Sequence, residues 1–165
     1  MPIVETTTWI NAPIDTVYAV ARQNEAFPEF MKDVKSVTVV ERGEDRVVSD
    51  WIGIVATFGL KIKWRQEDIW DDSTHQCHFK MLSGDYDRLE GTWTFSEQEG
   101  GTQFDSRVDY EYKVPGIGAL VYKVIHNLVV KNLDDTLAAI KARSESLSVT
   151  NTKAGDSVPG RTDKT

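Results

Sequence analysis

Between Trp64 and Phe95 the chain reads WRQEDIWDDSTHQCHFKMLSGDYDRLEGTWTF: two alternating β-runs, a turn, and a Gly-Asp corner leading into a tryptophan strand. Around Trp64, Trp70 and Trp93 the large residues recur at every second position. Side chains two apart on a strand share a face, so one face of a sheet carries an aromatic lining. Such a face needs something laid across it, and one long amphipathic helix follows later in the chain. A curved sheet gripping one helix encloses a cavity, and walls of Trp and Tyr suit an apolar or ring-bearing ligand.

Composition narrows the classes. A chain of 165 residues is one domain's worth and long enough to bury a core. Its 40% hydrophobic and 27% charged residues are ordinary for a soluble globular protein. A net charge of −7 argues against a phosphate-backbone partner, so no nucleic acid is expected, and it disfavours anionic membrane surfaces. No apolar run approaches the roughly 18 residues of a membrane span. The start, MPIVETTTWINAP, has neither a basic region nor an apolar core and does not read as a signal peptide. The single cysteine, Cys77, rules out an internal disulfide and fits a reducing compartment, with cytoplasm the expected location.

Periodicity predicts strands over Ile3–Ile10, Val34–Arg42, Arg46–Val55, Phe58–Trp70, Thr74–Leu82, Tyr86–Ser96 and Thr102–Lys113, separated by Gly- and Asp-rich turns. In the first strand, Val4 and Trp9 are the expected packing residues. Asn11 and Pro13 read as the start of a helix reaching Arg22, and Glu25 to Met31 as a second short helical turn. From Ala119 to about Glu145 an apolar stripe including Leu120, Val124, Leu128, Leu133, Leu137 and Ile140 gives one long helix. Residues 147–165 are polar and aperiodic and read as a disordered tail behind a domain of residues 1–146. The expected fold is α+β: a seven-stranded antiparallel sheet wrapped around the C-terminal helix, with two short helices after the first strand.

Four pieces of the chain carry a family resemblance: Ile10-Asn11-Ala12-Pro13 with Val17-Tyr18; Phe27-Pro28-Glu29-Phe30-Met31 leading to Val34; Ser49-Asp50-Trp51; and Gly84-Asp85-Tyr86 through Glu90-Gly91-Thr92-Trp93-Thr94-Phe95. Their order resembles that in the START-like polyketide cyclase/dehydrase and lipid-transport superfamily (SRPBCC), with its helix-grip fold. The resemblance spans roughly residues 3 to 145 and is greatest to small single-domain bacterial members. It implies lipid carriage, coenzyme Q binding, aromatase/cyclase chemistry or a stress role, and is far more specific for fold than for function.

Strand alternation selects the candidate ligand contacts. Trp51, Trp64 and Gln66 face inward with Leu60, Ile62 and Asp68; Gln66 is either a pocket hydrogen-bonder or marks where the strand leaves the core. Trp93 shares its face with Leu89, Gly91 and Phe95, and is core first, ligand contact second. Gly91 leaves room for a neighbouring side chain or for ligand. Tyr110 and Tyr112 are candidate polar groups inside the pocket, since a buried phenol wants a partner that a ligand carbonyl can supply. Ile117, between Gly116 and Gly118, either gates the mouth with Phe27 and Phe30 or sits in a tight connection.

No catalytic residue, metal site or cofactor is expected. His75 and His78 are placed on opposite strand faces, which precludes joint chelation, and His126 reads as a solvated helix residue. In the resembled aromatase/cyclases a pocket arginine orients the substrate, but Arg88 falls on the outward face, paired with Glu90. The leading expectation is therefore a protein that binds a lipid, isoprenoid quinone or polyketide-like molecule. A cyclase/dehydratase is the alternative, for which Asp68, His126 and Arg88 are the doubtful titratable groups. A partner-binding role on ribosomes or respiratory complexes is a third. Oligomeric state is not legible.

Overall fold

The computed structural model describes residues 3–55, 60–112 and 119–156. It begins with strand β1 (Ile3–Ile10), helix α1 (Ile14–Arg22) and a short 3-10 helix (Asn24–Glu29). Six strands follow: β2 (Val34–Arg42), β3 (Arg46–Val55), β4 (Leu60–Asp71), β5 (Gln76–Gly84), β6 (Arg88–Gln98) and β7 (Gly101–Glu111). Helix α2 (Ala119–Asp156) ends the described chain. The strands form one seven-stranded antiparallel sheet, as expected, and its order is β1-β7-β6-β5-β4-β3-β2. β2 to β7 is thus a meander, and β1 returns beside β7 with Ile3 opposite Asp109 and Ile10 opposite Thr102. No helix among the described residues is long and apolar enough to cross a membrane.

The alternation of the sequence becomes the two faces of this sheet. In β7, Phe104, Ser106, Val108 and Tyr110 are buried, while Arg107 and Asp109 lie on the outer face, in ion pairs to Glu5 and Arg88. Arg88 also approaches Glu90 at 3.5 Å, as its predicted outward face requires. The exposed Arg107–Glu5 pair contributes little, and the Arg88–Asp109 pair is part-buried. Of the two expected packing residues of β1, Val4 is buried at 8% exposed, whereas Trp9, five positions on and therefore on the other face, is 40% exposed. Trp9 instead donates Nε1–H to the Gln98 carbonyl at 2.8 Å, with Lys141 Nζ 5.7 Å from its ring centroid.

At one end of the sheet α1 and α2 close the core. Phe95 and Phe104 stack at 4.5 Å between ring centroids, and Tyr18 meets Trp70 edge-on at 5.4 Å. From α2, Leu137 and Ile140 are fully buried against this cluster. Asn11 does not cap α1, because the helix starts later, behind Pro13; its backbone N–H donates to Glu145 Oε2 at 3.1 Å. Helix α2 also runs past the expected end at Glu145. Leu147 packs on the core and no proline occurs before Pro159, so the segment expected to be a disordered tail from residue 147 is helical as far as Asp156. Residues 157–165 of that tail lie outside the described residues.

Gly84 lets β5 approach β4 where the ladder shifts register. Its φ is +149°, and a Cβ there would stand 2.5 Å from Trp64 Cα. Gly91 serves its neighbour: a Cβ would fall 2.5 Å from the ring of Phe79, its cross-strand partner. The room it leaves is taken by a side chain.

Candidate functional site

Away from the closed end, the sheet and the first half of α2 draw apart around a cavity of about 140 Å³. Its walls come from alternate positions of the strands: Trp51 on β3, Trp64, Gln66, Asp68 and Trp70 on β4, Phe79 on β5, and Leu89 and Trp93 on β6. Phe27 and Met31 close it from the 3-10 helix and the turn after it, and Tyr86 from the β5–β6 turn. Val129, Asn132, Leu133 and Thr136 supply the helical side. These four recur at three- and four-residue spacing, the inner stripe of α2.

The aromatic side chains brace one another. Trp51 and Trp64 stack at 5.6 Å with planes 13° apart, and Tyr86 stands edge-on to Trp64 at 5.6 Å. Phe27 meets Trp51 at 5.8 Å, and Trp93 meets Phe79 at 5.9 Å. Offset and edge contacts of this kind are worth about 0.5–1.5 kcal/mol each beyond burial, so the wall is pre-shaped.

A short polar chain crosses this wall. Trp64 Nε1–H donates to Gln66 Oε1 at 2.9 Å, and Gln66 Nε2–H donates to Asp68 Oδ1 at 2.7 Å. The other carboxylate oxygen, Oδ2, accepts from Asn24 Nδ2 at 2.6 Å. Asp68 is 1% exposed, and burial pushes its carboxyl up from the usual 3.8 to about 6 against the opposing pull of these two hydrogen bonds. Three more polar atoms of cavity residues have no hydrogen-bond partner among the described residues: Asn24 Oδ1, Trp70 Nε1 and Trp93 Nε1. Buried polar atoms are rarely left so, and a bound molecule is one way of satisfying them. Burial also raises the Cys77 thiol and the Tyr86 phenol, which keeps both neutral at ordinary pH.

Of the candidate contacts, Trp51, Trp64, Gln66 and Trp93 line the cavity. Tyr110, Tyr112 and Phe30 do not. Tyr110 OH reaches His126 Nδ1 at 2.6 Å, with the two rings stacked, so the partner sought for its phenol comes from α2. For the same reason His126 is half-buried rather than solvated. Tyr112 stands behind Tyr86, 5.7 Å from it, and so supports the wall from outside. Phe30 packs on Phe27 at 5.8 Å, under the Arg143 guanidinium. Ile117 and its flanking glycines lie outside the described residues. Sequence reasoning passed over Asn24, Tyr86, Asn132 and Thr136. The last two could have been found from their places beside Val129 and Leu133 on the helical stripe; nothing local marks Asn24. Among the described residues, no three His, Cys, Asp or Glu side chains are grouped to hold a metal ion.

A family model described as polyketide cyclase/dehydrase and lipid transport matches residues 10–136. Among solved structures, a protein of Thermus thermophilus superposes with a TM-score of 0.84 at 33% identity, covering 89% of this chain and 99% of its own. The ZhuI aromatase/cyclase of Streptomyces sp. R1128 gives 0.80 at 18% identity, over 87% and 93% of the two chains. A START superfamily protein of Mycobacterium smegmatis gives 0.73 at 17% identity, over 88% and 98%. No curated protein matches the chain in sequence.

Proposed function

Because the chain belongs to the polyketide cyclase/dehydrase and lipid transport family, we propose that it binds a hydrophobic, ring-bearing small molecule between the inner sheet face and α2. The observation that supports this reading is an aromatic cavity carrying three unpartnered polar atoms. Apolar walls provide affinity through burial, and a few convergent polar groups fix orientation. At about 140 Å³ the space is close to the roughly 150 Å³ of an apolar cavity that takes up benzene. It suits a single ring, such as a quinone head or one ring of a polyketide-like ligand, with any chain or further rings reaching outward. Native mass spectrometry of gently purified protein, followed by organic extraction, tests the proposal. A co-purifying apolar molecule supports it; no ligand, and no binding across a lipid, quinone and aromatic panel, defeats it.

Asp68 favours a second reading, a cyclase/dehydratase. Proton transfer needs a titratable group inside the cavity with its pKa near the working pH, and a carboxyl at about 6 on the cavity wall meets both conditions. Neither His126 nor Arg88 lines the cavity. On this reading Asp68→Asn abolishes conversion of a poly-β-ketone mimic while the mimic still binds. Wild-type protein that binds the mimic without converting it contradicts it.

A further inference from the structure

Among the described residues lining the cavity, the charged side chains are Asp33 and Asp68, and no lysine, arginine or histidine accompanies them. From this we propose that the cavity selects a lipophilic amine, its ammonium placed between Asp68 and Asn24 Oδ1 and its ring between the indoles. The inference rests on the ligand-binding reading above and specifies the charge class of the ligand.

Two hydrogen bonds occupy one position on each Asp68 oxygen, and both donors are neutral amides. A carboxylate has about four acceptor positions, so two stay open. Burying such an anion without a cation is costly, and a ligand cation relieves that cost directly. The neighbouring Asn24 is 4% exposed and its Oδ1 is unpartnered, an acceptor suited to an ammonium N–H. Its amide orientation is fixed by Asp68, since the reverse would set oxygen against oxygen. The surrounding walls are indole and phenyl faces, whose negative quadrupole attracts cations. Two stacked tryptophans, Trp51 and Trp64, belong to that wall.

The unpartnered N–H groups of Trp70 and Trp93 taken alone would also suit an anion. An anion at that end would stand against the Asp68 carboxylate, and Arg22, the cation over the Trp70 ring, does not line the cavity and is ion-paired to Asp72. An ether or hydroxyl oxygen on the amine satisfies the indoles without that repulsion. Fatty acids and phosphate-bearing lipids are disfavoured on the same ground.

The test uses the full chain and three single-ring probes of matched skeleton: phenethylamine, phenethyl alcohol and phenylacetate. Calorimetric titration at pH 7.5 is expected to rank them amine, alcohol, acid, with the amine on the order of tenfold or more tighter than the acid. In Asp68→Asn the amine-to-acid ratio should fall to about one. Phenylacetate binding as tightly as phenethylamine to the wild type overturns the inference, whether or not the variant folds; so does a preference that survives in a folded variant. If the alcohol binds with no gain for the amine, only the charge class falls. If none of the three binds, the ligand-binding reading falls with it.

Discussion

Asn24 Nδ2 donates to Asp68 Oδ2 across 2.6 Å, joining the 3-10 helix to the C-terminal part of β4 within the cavity wall. The bond holds the 3-10 helix against the sheet. It also leaves the other polar atom of the amide, Asn24 Oδ1, buried and without a partner among the described residues.

Asp68 should make stability depend on pH in the direction opposite to an ordinary ion-paired carboxylate. Its folded pKa of about 6 lies above the usual 3.8, so between these values the folded chain keeps a proton that the unfolded chain has lost. Stability contributed by that proton is complete below about pH 4 and is lost as pH rises through 6, a loss on the order of 2–3 kcal/mol. Urea unfolding at pH 4 and 7.5 should show Asp68→Asn gaining stability relative to the wild type at the higher pH. Parallel pH profiles for the two proteins would refute the assignment.

Tyr110→Phe removes the hydrogen bond to His126 without touching the cavity. It should cost about 0.5–1.5 kcal/mol of stability and change the affinity for an apolar ring by less than about twofold. A large loss of affinity at unchanged stability would place Tyr110 in the site after all.

How the sequence succeeded and failed follows from what each residue depends on. Strand alternation is local, so the inward set Trp51, Trp64, Gln66 and Trp93 could be read from period alone, as could the meander from its turns. Gln66 could not be resolved between pocket and strand end, because the answer depends on Asp68 and Trp64 two positions away on the same face. Tyr110 also faces inward, yet whether an inward phenol meets ligand or helix depends on where His126 falls along α2. Tyr86 was hidden because the expected strand begins there and its alternation puts Tyr86 outward with Arg88 and Glu90, whereas β6 begins at Arg88 and Tyr86 sits in the turn before it. The end of α2 escaped because a polar segment continues a helix readily when its preceding turn is anchored, here by Leu147 on the core.

Gly84→Ala should be disruptive out of proportion to its surface position. A Cβ would stand 2.5 Å from Trp64 Cα at a φ of +149°, so backbone must move. A loss of at least about 2 kcal/mol is expected, with weaker ligand binding as Trp64 shifts. Wild-type stability would show that β5 does not approach β4 this closely.

Trp64→Leu deletes the stack on Trp51, the edge contact from Tyr86 and the donor to Gln66. Overall destabilisation of about 2–4 kcal/mol is expected from lost packing and an unpaired amide. Affinity for a single aromatic ring should fall about tenfold or more in equilibrium titration, and an unaltered affinity would remove Trp64 from the site.

The tryptophans themselves give the most direct test of the cavity. Of the five, Trp51, Trp64, Trp70 and Trp93 line it, and Trp9 lies on the outer face of β1. Nitrogen-15 correlation spectra resolve each indole N–H, and titration with phenethylamine or phenethyl alcohol should shift the four cavity signals while leaving that of Trp9 in place. Four unmoved cavity indoles at saturating probe, or a shift confined to Trp9, would contradict the account.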